Sequence, residues 1–142
     1  MGKLVVKRNV SLESIHLSFR AIHPKLLSAL ESCLADFPRC DIQYGNILDF
    51  EADAVVSPGN SFGSMNGGVD RLYRNYFGKD IEYRVKKEIS DKFKGMLPMG
   101  RAIIVPTQNP KIPFLITSPT MNSPLSIAHT DTVYKALTAV LQ

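Results

Sequence analysis

The sequence predicts a layered α/β domain with a mostly parallel sheet, and three observations carry that expectation. Short apolar strand patterns alternate with amphipathic helical patterns along the whole chain, which is how a mostly parallel sheet covered by helices reads. A glycine-rich loop joins a short apolar strand to an amphipathic helix, the connection at which open α/β sheets hold their ligands. The 142 residues are 44% hydrophobic and 21% charged, with nine glycines and nine prolines, a composition suited to one soluble globular domain. The expected organisation is a single domain over 1–142, with an N-terminal strand and helix over 13–38 and a ligand loop over 57–68.

Ile15, Leu17 and Phe19 alternate with His16, Ser18 and Arg20, the pattern of a half-buried strand. Pro24 suits a first helical position. Leu26, Leu30, Cys33, Leu34 and Phe37 then recur at helical spacing until Pro38 stops the run. Cys40, Ile42 and Tyr44 alternate as a second strand. Ala54-Val55-Val56 is a continuous apolar run, expected to be a strand covered on both faces. Residues 58–68 hold four glycines and two asparagines without apolar periodicity and read as a loop.

Val69, Leu72, Tyr73, Tyr76 and Phe77 fall on one helical face, whose aromatic stripe Tyr73, Tyr76 and Phe77 is expected to be core, and Gly78 is placed to end that helix. Asp80 is expected to cap the next helix, whose apolar side is Ile81, Val85, Ile89 and Phe93. Ala102–Val105 and Pro113–Ile116 read as two buried strands joined by a turn through Asn109-Pro110. Val133, Tyr134, Leu137, Val140 and Leu141 mark a last helix, with His129 expected inside it.

Several function classes drop out on composition. No apolar run approaches the roughly 20 residues of a membrane-spanning helix, so no membrane partner is expected. The segment Met1–Arg8 lacks the apolar stretch of a signal peptide, so a cytoplasmic location is expected, and the Asn9-Val10-Ser11 glycosylation pattern reads as chance. Cys33 and Cys40 make no disulfide framework. Cys33 is expected to be a buried small hydrophobe and Cys40 no nucleophile. His16, His23 and His129 have no Cys or carboxylate at ligand spacing, so neither metal nor cofactor is expected, and His23 reads as a helix cap before Pro24. Asp49, Glu51 and Asp53 read as solvated loop acids. Seventeen Lys and Arg against thirteen Asp and Glu leave a net charge of +4, which permits a polyanionic partner without demanding one. The basic run Arg84, Lys86, Lys87, Lys92 and Lys94 is interleaved with Glu82, Glu88 and Asp91. That is the pattern of a solvated helix face, and with no stacking aromatics beside it nucleic acid is not the expected partner.

The chemistry of the glycine-rich loop leaves two readings. Glycines let a backbone approach a ligand closely, the free N–H groups of a helix start favour an anion, and Asn60 and Asn66 can both donate and accept. The alternative is a merely flexible loop, since neither Gly-Lys-Ser/Thr nor GxGxxG occurs.

Gly45-Asn46-Ile47, followed by Ala52-Asp53-Ala54-Val55-Val56-Ser57-Pro58-Gly59-Asn60, resembles the opening of a macro domain, the ADP-ribose-binding module. Gly67-Gly68-Val69-Asp70 resembles the glycine run that follows it in that family, and Arg101–Val105 and Phe114–Ile116 sit where its next strands fall. The resemblance implies a three-layer α/β/α macro-domain-like fold with a mixed, mostly parallel sheet, and ADP-ribose or an ADP-ribosylated macromolecule as partner. It implies ligand contacts from Asn46, Ile47, Ser57, Pro58, Gly59, Asn60, Asn66, Gly67, Gly68 and Val69. Asn46 stands where the family has an acid for the adenine amino group, and Asn60 matches the asparagine at the distal ribose. Ser57-Pro58-Gly59 departs from the commoner Asn-Ala-Ala.

Asp70 matches the aspartate that helps activate water in hydrolytic macro domains. Read by itself it is a first-turn acid favoured by the helix dipole. The family pattern also continues past a helix like the last one here into a further strand and a second phosphate loop, so the chain is expected to lack a C-terminal part. Three functions follow: an ADP-ribose reader, an ADP-ribosyl hydrolase using Asp70, or a truncated, non-binding remnant prone to self-association through exposed apolar surface on its last helix.

Overall fold

The computed structural model describes residues 14–122 and 127–142. The Met1–Arg8 segment, the Asn9-Val10-Ser11 pattern and residue 13, at the start of the expected strand–helix span, lie outside the described residues. The chain divides into two compact units, Met1–Phe50 and Glu51–Gln142.

In the first unit, β1 (Leu17–Ala21) and β2 (Cys40–Tyr44) pair in parallel, joined by α1 (Pro24–Leu34). Pro24 takes the first helical position because its missing N–H costs nothing there. His23 stands at the N-cap, yet its side chain makes no capping bond. The helix stops at Leu34, short of the Pro38 expected to end it, and none of its residues is buried. Cys33 is exposed rather than a buried hydrophobe. His16, Ser18 and Arg20 share the polar side of the β1 segment, and all three reach Asp41 on β2. The Arg20 guanidinium lies 2.6 Å from Asp41 and 4.0 Å from the Phe50 ring centroid. The Ser18 hydroxyl, then His16 and Arg20, hold the Asp41 carboxyl down at about 2 against the upward push of burial. Asn46 caps a single 3-10 turn, Ile47–Asp49, by accepting the Leu48 N–H at 3.0 Å.

The second unit contains β3 (Ala54–Ser57), α2 (Gly68–Phe77), α3 (Asp80–Phe93), β4 (Ile103–Pro106), β5 (Phe114–Thr117) and α4 (Thr132–Val140). Its sheet runs β3–β5–β4, with β3 parallel and β4 antiparallel to β5. Val55, Ser57, Leu115, Thr117, Ile103 and Val105 are buried on one face, where the core also takes Ile81, Val85 and Ile89 of α3. On the other face Val56 is 42% exposed, and Ile104 and Phe114 are exposed too, so β3 is not covered on both sides as its apolar run suggested.

Three further expectations are corrected. The aromatic stripe of α2 is not all core: Tyr73 is buried, but Tyr76 is exposed and Phe77 half-buried, and Leu72 on the same face is exposed. Tyr73 earns its place through a hydroxyl bond to the Val56 carbonyl at 2.9 Å. Lys79, not Asp80, occupies the N-cap of α3. His129 lies in the turn before α4, with a positive φ of 65°, rather than inside the helix. On α4 only Ala136 is buried, and Val133, Tyr134 and Leu137 are exposed. Among the described residues no helix is long and apolar enough to cross a membrane.

Candidate functional site

The segment after β3 keeps hydrogen-bonding to the segment after β5, although neither continues as a regular strand. Ser118 N–H donates to the Ser57 carbonyl at 3.2 Å, Thr120 N–H to Gly59 at 3.0 Å, and Ser61 N–H to Met121 at 3.0 Å. Side chains tighten the seam: the Thr120 hydroxyl donates to the Pro58 carbonyl and the Ser61 hydroxyl to Asn122. Gly59 is required by space, because a Cβ there would stand 2.6 Å from the Thr117 hydroxyl oxygen.

Asn60 then turns the chain. Its amide oxygen accepts the N–H groups of Phe62 and Ser64, each at 3.1 Å, and its amide nitrogen donates to the Ser64 carbonyl at 2.8 Å. The side chain acts here as a local template for the loop, a use to which Asn is well suited. The amide nitrogen carries a second hydrogen that this turn does not use.

The loop ends at Gly67, the N-cap of α2, which makes no side-chain cap. Gly68, in the first helical position, has a φ of +55° that glycine adopts without penalty. The first backbone bond of the helix runs from Arg71 N–H to the Gly67 carbonyl, so the N–H groups of Gly68, Val69 and Asp70 have no partner within the helix. These three residues border an open cleft of about 410 Å³. Pro58, Gly59 and Asn60 form one wall, Asn66–Asp70 the other, and Ser64 and Met121 complete it.

Asp70 stands in the first turn of α2, 8% exposed, where it accepts a hydrogen bond from the Ser57 hydroxyl. Burial pushes its carboxyl above the ordinary range, the Ser57 bond opposes that, and the negative charge of Glu82 adds to it. Burial, with the Asp70 charge, also pushes the Tyr73 phenol far up, so it is a neutral donor at all ordinary pH.

The profile of the macro-like domain family matches residues 3–135 of the chain. The chain belongs to that family. A protein of Aquifex aeolicus (strain VF5) is 32% identical over 98 residues, which are 69% of this macro domain and 56% of that protein. The macrodomain of Mycobacterium tuberculosis DarG superimposes with a TM-score of 0.54 at 19% identity, over 68% of this chain and 61% of its own, which supports the fold. The chain thus spans rather more than half the length of these relatives. The α/β macro fold is the one expected, and macro domains generally bind ADP-ribose.

Of the site residues expected from sequence, Pro58, Gly59, Asn60, Asn66, Gly67, Gly68, Val69 and Asp70 meet around the cleft of this macro domain. Ser57 does not line it but lines a small neighbouring pocket of about 10 Å³, together with Gly59, Asn60 and Asp70. Asn46 and Ile47 belong to the first unit, where the Asn46 amide oxygen is engaged by its own 3-10 turn.

Sequence reasoning missed Glu82 and Arg74. Glu82 reads as one acid of a solvated face, yet its side chain is 18% exposed and accepts the Met65 N–H at 2.7 Å. Lys86 lies 3.1 Å and Arg74 3.7 Å from the same carboxylate. Arg74 also donates to the Asn66 amide oxygen at 2.6 Å, and Asn66 donates to the Ser64 hydroxyl at 3.0 Å. Burial raises the Glu82 carboxyl, but the Met65 N–H, Lys86 and Arg74 outweigh it and hold the group below its ordinary range. The only available signal was the i, i+4 spacing of Glu82 and Lys86, which marks surface pairs far more often than loop anchors. Among the described residues, no three His, Cys, Asp or Glu side chains group as metal ligands.

Proposed function

We propose that this macro domain binds ADP-ribose, or an ADP-ribosyl group carried on a macromolecule, in the cleft at the start of α2. The observation that carries this reading is the convergence of the Pro58–Asn60 turn and the Gly67–Asp70 helix start on one open cleft. A diphosphate placed there meets the N–H groups of Gly68, Val69 and Asp70 and the positive end of the helix dipole. Small residues on both walls let a ligand approach the backbone closely. The unused N–H of the Asn60 amide is a donor for a ribose hydroxyl. Calorimetric titration with ADP-ribose, with AMP as control, is expected to give saturable binding selective for ADP-ribose. No heat from ADP-ribose overturns the reading.

A second reading, hydrolysis, is favoured by the position of Asp70 in the cleft wall and by the upward displacement of its carboxyl towards the range of a general base. In that reaction Asp70 takes a proton from water, the water oxygen bonds to the anomeric carbon, and the bond to the leaving group breaks as that group gains a proton. Release of ADP-ribose from an ADP-ribosylated acidic side chain or nucleic-acid end tests it. The variant Asp70→Asn is expected to lose turnover and keep binding. Equal turnover in the variant overturns the catalytic role.

A further inference from the structure

We infer that Glu82 is a positioning residue for the ligand loop: from α3 it grips the Met65 N–H and, with Arg74, fixes Ser64–Gly68 in the shape that lines the cleft. This rests on the ADP-ribose reading. Three consecutive residues before the glycine pair are held by these two side chains, directly or through one bond. Met65 is held by the Glu82 carboxylate at 2.7 Å, Asn66 by the Arg74 guanidinium at 2.6 Å, and Ser64 by Asn66 at 3.0 Å. Met65 is itself buried, so its N–H would find no replacement partner in water if the carboxylate were removed.

Glu82 differs from Asp91, further along its helix, in the same terms. Lys87–Asp91 is an i, i+4 pair with both side chains more than half exposed, and such pairs contribute little. Glu82 makes a charge-assisted bond to main chain across a sequence separation of 17 residues, in a partly buried setting where such bonds are strongest. A loop held in its bound shape before the ligand arrives spends less ordering entropy on binding.

The test is titration of the full chain with ADP-ribose for wild type, Glu82→Ala, Glu82→Gln and Asp91→Ala, with hydrogen exchange at the Met65 amide. Glu82→Ala is expected to bind about tenfold more weakly and to expose the Met65 amide to exchange. Glu82→Gln keeps an acceptor oxygen and is expected to recover to within about threefold of wild type. Asp91→Ala is expected to match wild type. Wild-type affinity in Glu82→Ala overturns the inference while leaving the ADP-ribose reading intact, and so does a loss that Gln fails to rescue. Where Glu82→Ala does not fold, Arg74→Gln removes the grip on Asn66; several-fold weaker binding supports the inference and wild-type affinity overturns it. A wild-type chain that gives no heat overturns the ADP-ribose reading and this inference together.

Discussion

Ser57, the last residue of β3, donates its hydroxyl hydrogen to the carboxylate of Asp70, thirteen residues on in the first turn of α2. The bond ties the end of a strand to the start of the helix it feeds, and the whole cleft-lining loop hangs between these two points. It is also the donor that offsets the burial of the Asp70 charge.

Replacing Ser57 with Ala removes that donor and leaves a buried carboxylate short of a partner. The expected loss is about 1–3 kcal/mol of unfolding free energy. Urea titration of the variant against wild type checks this, and an unchanged midpoint contradicts it.

The same carboxylate sets a pH dependence. Burial, chiefly, holds the folded-state value of Asp70 above its ordinary 3.8. Between 3.8 and the folded value, the native chain keeps a proton that the unfolded chain has released. Stability from this group is therefore full below 3.8 and is lost as pH rises through the folded value. Thermal melts of wild type and Asp70→Asn across that range are expected to show wild type losing ground to the variant as pH rises. A pH-independent difference contradicts the assignment.

Gly59→Ala places a methyl group 2.6 Å from the hydroxyl oxygen of buried Thr117, with the Asp70 and Ser57 oxygens each 3.6 Å away. Something must move, at an expected cost of about 1–3 kcal/mol. ADP-ribose affinity is expected to fall with it, because the same turn forms one wall of the cleft. Thermal melting and calorimetry on one preparation measure both effects.

The two cysteines are expected to differ in reactivity. Cys33 is exposed on α1, whereas Cys40 is half-buried and its thiol is pushed up by burial and by the neighbouring Asp41 charge. A higher thiol pKa leaves less thiolate to react. Labelling with a chromogenic disulfide is expected to consume Cys33 first, and Cys33→Ser is expected to remove the fast phase. Loss of only the slow phase contradicts it.

Much of this was legible in the chain. The alternation around Leu17, the helical spacing after Pro24 and the apolar run at Ala54–Val56 locate their elements to within about three residues, because periodicity is fixed by the backbone of the element itself. What periodicity cannot give is whether a face is covered. Leu72 and Tyr76 share the helical face of Tyr73 yet are exposed, and Val56 sits in an apolar run yet faces outward. Cys33 fails for the same reason. At the site, the glycines and Asn60 were readable from their turn chemistry. Glu82 was not, since its partner is a backbone N–H that only the folded loop presents.

The seam that joins Ser57–Ser61 to Ser118–Asn122 has a consequence for how the molecule comes to exist. Its bonds link residues about sixty positions apart, Ser61 with Asn122 and Pro58 with Thr120. No hairpin or single helix can form such contacts early, and closing so long a loop is slow compared with local structure. On the ribosome the Pro58–Asn60 turn has no floor until β5 and the residues after it have been made. The walls of the cleft can meet only once the residues after β5 have been synthesised, so a chaperone or protease that meets a shorter nascent chain meets it without a cleft.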